Sequence, residues 1–384
     1  MAEKKFDYNE IAPYENQAFE DAMERLRNYP QFLNNFTDII SRHSRVVNKW
    51  KSFHSKNILS RALNNVHSVD DFQKQITSDI FLNMIESSSI DHLTCEGIDE
   101  LEDRPYIYIS SHRDIVLDTA LLDLVLYRSS RMLCEMVIGN NLISNQFIED
   151  MFRVNGGILT NRNLSGVSEL KNEINRLSYY INYCITQKKK SVWIAQKNGR
   201  SKDGIDNTSA AIIKMLYLCC KEQGLSFKDF LKVQPIVPVA ISYQFDPCDV
   251  TKSQEQIRKL KSEGCYDVYK KKKYEDIIDL IKGLRCWKGN VHIHIGKVLD
   301  AEKIENPSEA VRECDRQIHK NFFLWDTNYF CYDALNGTNT FEDRYSSMNV
   351  KSFVKKYRKL NPQVVKNVYL QYANPVISML NEEN

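Results

Sequence analysis

The stretch Tyr106-Ile-Tyr-Ile-Ser-Ser-His112-Arg-Asp114-Ile-Val-Leu-Asp118-Thr-Ala-Leu-Leu-Asp-Leu-Val-Leu-Tyr127 decides how this chain is read. Tyr106 to Ile109 is a short run of aromatic and β-branched residues, which predicts a strand. From about Ile115 the apolar positions Leu117, Leu121, Leu122, Val125 and Leu126 take helical spacing. Ser110 and Ser111 fall between the two, where a turn or N-cap residue belongs. His112 is thereby placed where a strand hands over to a helix, and in open α/β sheets that edge binds ligands. A histidine there acts as a general base when a carboxylate holds its second nitrogen, and Asp114 and Asp118 are both at hand. Read without chemistry, His112 is a surface loop residue and the two aspartates only favour a helix N-terminus.

The 384 residues are ample for a sizeable core, and 42% hydrophobic with 27% charged residues is the balance of a globular protein rather than a disordered one. A formal net charge of +2 gives whole-chain electrostatics no bias toward nucleic acid or membrane. The ten cysteines are scattered and form no C-x-x-C, so neither a zinc ribbon nor a redox motif is expected. Reduced thiols in a cytosolic compartment are the expected state. The N-terminal Met-Ala-Glu-Lys-Lys-Phe-Asp lacks the apolar core of a signal peptide. No window approaches the roughly 18 uninterrupted apolar residues of a membrane span. The expected location is cytoplasmic; lipid substrates would have to be reached from the surface of the cytoplasmic membrane face.

Taken in order, residues 1–90 read as a helical N-terminal region. Ser68-Val-Asp-Asp71 resembles a capping box, and it opens a stripe of Phe72, Ile76, Ile80 and Phe81 that fits core packing. Leu93 to Gly97 and Arg131 to Ile138 read as strands, the second followed by a helix through Phe152. In Asn155-Gly156-Gly157-Ile-Leu-Thr-Asn161-Arg162 the glycines permit a tight turn or a close backbone approach to a ligand. Arg162 offers a forked donor to an anionic oxygen cluster; unaided, the segment is a plain turn. A helix over residues 165–190 ends in Gln187-Lys-Lys-Lys190, a solvated helix end. The strand Ser191 to Ala195 is followed by the polar loop Gln196-Lys-Asn198-Gly199-Arg200-Ser201-Lys202-Asp203-Gly204. Such a loop can gather a phosphate, although solvent exposure alone would explain it.

Asn207 to Cys220 reads as a helix, and Pro235 to Tyr243, with Pro238 inside it, as a strand buried on both faces. Thr251 to Lys282 is charged and helical; its Lys270-Lys-Lys-Lys273 is a solvated face, or alternatively a patch for anionic headgroups. Asn290 to Gly296 alternates as a strand and puts His292 and His294 on one face. An H-x-H pair can bind zinc, but this stretch supplies no third ligand, so no metal is expected. Residues 304–384 are helical and rich in aromatics (Phe322, Phe323, Trp325, Tyr329, Phe330, Tyr332), as in a packed appendage or an interfacial contact.

In their order and spacing these segments resemble the four signature blocks of the glycerolipid acyltransferase superfamily, which includes the glycerol-3-phosphate and lysophosphatidic-acid acyltransferases. Ser111-His112-Arg113 with Asp118 is similar to the first block, Gly156 or Gly157 with Arg162 to the second, Gly199-Arg200-Ser201 to the third, and the run around Pro238 to the fourth. The resemblance spans roughly residues 90–300 and has two departures. The first block reads H-x5-D, one residue longer than the family's H-x4-D. The extra residue can sit in the turn or in a π-bulge, or Asp114 can orient the imidazole in place of Asp118. In the third block Asn198 stands where the family has glutamate, and an amide keeps hydrogen bonds but not the negative charge.

The resemblance implies an α/β core with a mixed central sheet flanked by helices over residues 91–303, between helical regions 1–90 and 304–384. It implies transfer of a fatty acyl group from acyl-CoA or acyl carrier protein to a hydroxyl of glycerol 3-phosphate, lysophosphatidic acid or a related acceptor, in phospholipid biosynthesis. His112 would be the base, with Asp118, or Asp114 in reserve, as its partner. Arg113, Gly156, Gly157, Arg162, Asn198, Gly199, Arg200, Ser201, Lys202 and Pro238 would form the substrate site. Arg162, Arg200 and Lys202 would hold the acceptor's phosphate. No bound organic cofactor or metal is expected, and no nucleic-acid partner. The departures leave two alternatives on the same fold: a catalytically weakened lipid-binding protein, or an acyl-thioester hydrolase.

Overall fold

Alternation along the strands builds a sheet with two covered faces. In the computed structural model, which describes residues 6–29, 61–86, 89–161, 164, 166–262, 274–345 and 347–383, seven strands join in one sheet. They are β1 (Leu93–Glu96), β2 (Ile107–Ser110), β3 (Cys134–Gly139), β4 (Gly157–Thr160), β5 (Ser191–Ala195), β6 (Ile236–Tyr243) and β7 (Val291–Ile295). Their order is β1-β7-β6-β2-β5-β3-β4, and β6 with β7 is the one antiparallel pairing in a sheet otherwise parallel. The sheet is mixed, as expected. All eight positions of β6 are buried, which accounts for its continuous apolar run.

Tyr108, Trp193, Val239 and Tyr243 point to one face, and Ile107, Ile109, Val192 and Ile194 to the other. Against the first face lie α1 (Asn16–Asn28), α2 (Ser78–Glu86) and α3 (Leu117–Arg128). Phe72, Ile76, Ile80 and Phe81 join that core, and Ser68 Oγ accepts from Asp71 N at 3.1 Å to start the helical segment. The second face is covered by α5 (Val167–Tyr183), α6 (Ala210–Glu222), α7 (Phe227–Val233) and α10 (Pro307–Lys320). In the chain α4 (Gln146–Val154) falls between the two groups, and α8 (Asp249–Ser262) and α9 (Glu275–Arg285) fall between α7 and α10. No described helix is long and apolar enough to cross a membrane. The Lys270–Lys273 run lies outside the described residues.

From Leu117 to Leu126 every residue of α3 is buried, because the helix lies between the sheet and α2. Its carboxylates are therefore out of water. Burial pushes Asp123 up to about 7, although Cys134 N donates to it at 2.9 Å.

The C-terminal helices α11 (Asp326–Asn336), α12 (Ser347–Tyr357) and α13 (Pro362–Glu383) form their own aromatic cluster around Phe353, Tyr357 and Tyr372. The packed-appendage expectation thus describes this region. The appendage also braces the loop that follows β5: Asn374 Nδ2 donates to Asp203 O at 2.7 Å. At Gly204 the backbone has φ +79° and a Cβ would come 2.2 Å from Gln371 O, so the loop and α13 touch backbone to backbone. Gly204→Ala is expected to lower stability by about 1–3 kcal/mol, read from the denaturant midpoint.

Candidate active site

The end of β2 and the loop after β5 are laced together. Gln196 N donates to Ser110 O at 2.9 Å and Ser201 N to His112 O at 2.6 Å. The first and third sequence blocks thus meet at the backbone of His112 itself. The imidazole Nδ1 lies 3.0 Å from Asp118 Oδ2 and donates to it, since a carboxylate is an acceptor only. That same oxygen accepts from Arg113 N at 2.6 Å and Asp114 N at 2.9 Å, while Oδ1 accepts from Tyr243 OH at 2.8 Å. Four donors fix one fully buried carboxylate. Trp193 packs edge-on against the imidazole, with ring centroids 5.6 Å apart at 74°, and is itself held by Nε1 donating to Ser110 Oγ at 2.8 Å. The His112 side chain keeps 18% exposure, so Nε2 is the nitrogen left for chemistry.

The longer spacing between His112 and Asp118 is absorbed in the bend over residues 114–116, and α3 begins regularly at Leu117 without a π-bulge. Asp114 is not a second partner for the imidazole. Its Oδ1 accepts from Val116 N and Leu117 N, each at 3.0 Å, and so caps α3. Its Oδ2 is buried with no partner among the described residues, against Gly283, and burial together with the Asp118 charge raises its pKa.

Near Asp114 lies Lys288, fully buried, with Nζ donating to Cys286 O at 2.5 Å. Desolvation brings its pKa from 10.5 down to about 8, against the opposing pull of Asp114. The folded state therefore binds this proton less tightly than the unfolded chain. The penalty is complete below pH 8 and vanishes as pH rises to 10.5. Lys288→Met is expected to stabilise the protein at pH 7 by about 2 kcal/mol, roughly 3 from the relieved desolvation less about 1 for the lost hydrogen bond. The gain should fade in denaturant titrations as the pH is raised through that window.

His112 opens on a cleft whose wall is largely apolar, formed by Ile115, Val116, Ala120, Met136, Ile138, Leu142, Phe152 and Trp193. Gly199, Arg200, Lys202 and Asp276 supply its polar side. Arg200 donates through Nη2 to Asp279 Oδ2 at 2.6 Å and lies 3.8 Å from Asp276, while its Nη1 is buried with no partner among the described residues. Lys202 is paired with Glu255. Both cations reach the cleft already matched by carboxylates, and Arg200 keeps one donor in reserve.

Several sequence expectations are corrected here. Arg113 does not line the cleft: its guanidinium is buried, paired with Asp206 and set 4.7 Å from the Phe322 ring centroid, because a buried charge requires a partner. Gly156, with φ +86°, turns the chain from α4 into β4, and Gly157 packs where a Cβ would meet Phe152 O at 2.7 Å; neither lines the cleft. Pro238 is buried within β6, opposite Ile109, and its carbonyl accepts from Gly296 N at 2.8 Å. Asn198 lines an adjoining groove with Lys197 and Lys259. Ser201 acts through its backbone on His112. Arg162 lies outside the described residues. Sequence reasoning missed Tyr243 and Trp193, each a strand residue whose spacing carries no sign of the contact it makes. It also missed Asp276 and Asp279, whose i, i+3 spacing on α9 was the available signal.

The sequence model of the family described as Acyltransferase matches residues 92–242. Among solved structures the chain is similar to the 1-acyl-sn-glycerophosphate (LPA) acyltransferase PlsC from Thermotoga maritima, at 12% sequence identity. That match covers 78% of this chain and 94% of the other, with a TM-score of 0.38. No curated protein matches the chain.

Proposed function

We propose, on the match of residues 92–242 to the acyltransferase family model, that the protein transfers a fatty acyl group from a thioester, acyl-CoA or acyl carrier protein, to a hydroxyl. The acceptor is glycerol 3-phosphate, lysophosphatidic acid or a related lipid precursor in phospholipid biosynthesis. The observation that carries this reading is the 3.0 Å contact between His112 Nδ1 and a carboxylate, Asp118, held by three other donors at the mouth of an apolar cleft.

His112 Nε2 takes the proton of the acceptor hydroxyl as its oxygen attacks the thioester carbonyl. Collapse of the tetrahedral adduct expels the thiolate, which takes that proton back from the imidazolium. Asp118 stabilises the imidazolium between those steps, the logic of a catalytic triad without its serine. The apolar wall suits an acyl chain. Arg200 and Lys202 suit an acceptor phosphate, with Asp279 and Glu255 positioning them until it arrives. The chemistry needs no bound organic cofactor. Lipid substrates are met at the surface of the cytoplasmic membrane face. The acyltransferase core takes residues 91–303, with 1–90 preceding it and 304–384 following it in the chain.

The purified protein, given radiolabelled acyl-CoA or acyl carrier protein and a panel of acceptors, should form an acylated product only when acceptor is present. Acyl release independent of acceptor would make it a thioester hydrolase. Liposome association without turnover of any donor would make it a lipid-binding protein.

A further inference from the structure

On the far side of the sheet from Tyr243 and Asp118, a second constellation meets across two strands. β1 and β7 run parallel, with Thr94 opposite His292 and Glu96 opposite His294, so all four side chains share one face. The alternate residues Val291, Ile293 and Ile295 point the other way, into the core that carries Tyr243. We propose that Glu96, His292 and His294 bind a divalent transition-metal ion of the zinc class, which clamps the edge strand β1 to β7.

One ligand atom from each of the three residues lies within 4.8 Å of the others, and His294 Nδ1 is 3.4 Å from Glu96 Oε2. Zinc bound at about 2.0–2.1 Å keeps its donors roughly 3.3 Å apart. Glu96 and His294 are the solvent-facing members of the set, and their side chains are the ones free to turn toward a shared ion. Two imidazoles and one carboxylate are a donor set that zinc accepts, and three protein ligands leave a fourth position for water.

The support around the histidines points the same way. Thr94 Oγ1 is 2.8 Å from His292 Nδ1. In the tautomer in which Nδ1 carries the hydrogen, the hydroxyl accepts it and Nε2 keeps its lone pair for a metal. Metal-bound histidines are oriented by this kind of outer hydrogen bond. Phe323 packs over the same ring, with centroids 5.0 Å apart, and His292 is 3% exposed. His294 and Glu96 stay open to solvent and give the ion its route in.

The clamp has a mechanical use. β1 has four residues and pairs with β7 alone, so few hydrogen bonds hold it to the sheet. The H-x-H pair looked incomplete in the sequence because its third ligand comes from a different strand.

The full-length protein, stripped with a chelator, is titrated with zinc by calorimetry and with cobalt by visible absorption. One equivalent should bind, with a d–d spectrum free of thiolate charge-transfer bands. His294→Ala and Glu96→Gln should each weaken binding at least tenfold, and Thr94→Val by about 10–100-fold. Zinc should raise the melting temperature of the native protein but not of His294→Ala. Both ligand variants replace solvent-accessible side chains, and unchanged far-UV circular dichroism of their metal-free forms confirms the fold. Absence of a one-to-one site in the native protein, thiolate bands with cobalt, or equal affinity in both variants would each overturn the proposal.

Discussion

His112→Ala is expected to remove acyl transfer, lowering kcat by about 10²–10⁴-fold, the usual contribution of a positioned general base. The same change should leave the fold in place. The side chain is 18% exposed and its one polar contact is Asp118, so no packed core is opened. Asp118 does not become an orphaned buried charge, because Arg113 N, Asp114 N and Tyr243 OH still donate to it. Loss of rate with an unchanged melting temperature therefore separates the chemical role from a structural one. The measurement is single-turnover acyl transfer from a labelled thioester, alongside circular dichroism. Full activity in the purified variant would refute the assignment of His112 as the base.

What could be read in the sequence was what is local in the chain. His112 and Asp118 sit on either side of one strand-to-helix bend, so residue type and spacing brought them together before any coordinates did. The choice between Asp118 and Asp114 was not legible. It turns on the bend over residues 114–116, where Asp114 spends its lone pairs on two amides of the α3 N-terminus and only Asp118 faces the ring. Arg113 was misjudged through its neighbour. Adjacent side chains at a turn leave in different directions, and this one runs into the interior toward Asp206. The sequence placed Arg200 and Lys202 in the loop that lines the cleft, but not their carboxylate partners. Asp279 and Glu255 come from helices that no sequence spacing ties to the loop after β5. Tyr243 was equally hidden. It ends a strand readable only as apolar, and its hydroxyl has meaning only once β6 lies beside β2.

Asp118→Asn should lower kcat by about 10²–10⁴-fold, and it tests charge rather than shape. The amide can be accommodated without rebuilding the site. Its oxygen can keep the two backbone donors and the imidazole Nδ1–H, and its NH2 can face the Tyr243 hydroxyl, which turns from donor to acceptor. What is lost is the negative charge opposite an imidazolium that exists only after the acceptor's proton has moved. The loss therefore falls on kcat and leaves substrate binding nearly unchanged. Tyr243→Phe offers the complementary change. It keeps the carboxylate and removes one of its four donors, and should reduce the rate by no more than about tenfold, the worth of one ordinary hydrogen bond. Groups that work as one unit do not add, so Asp118→Asn combined with His112→Ala should be no slower than His112→Ala alone. Two effects that multiplied would mean that the carboxylate acts independently of the imidazole, and the pairing assigned to them would then be structural.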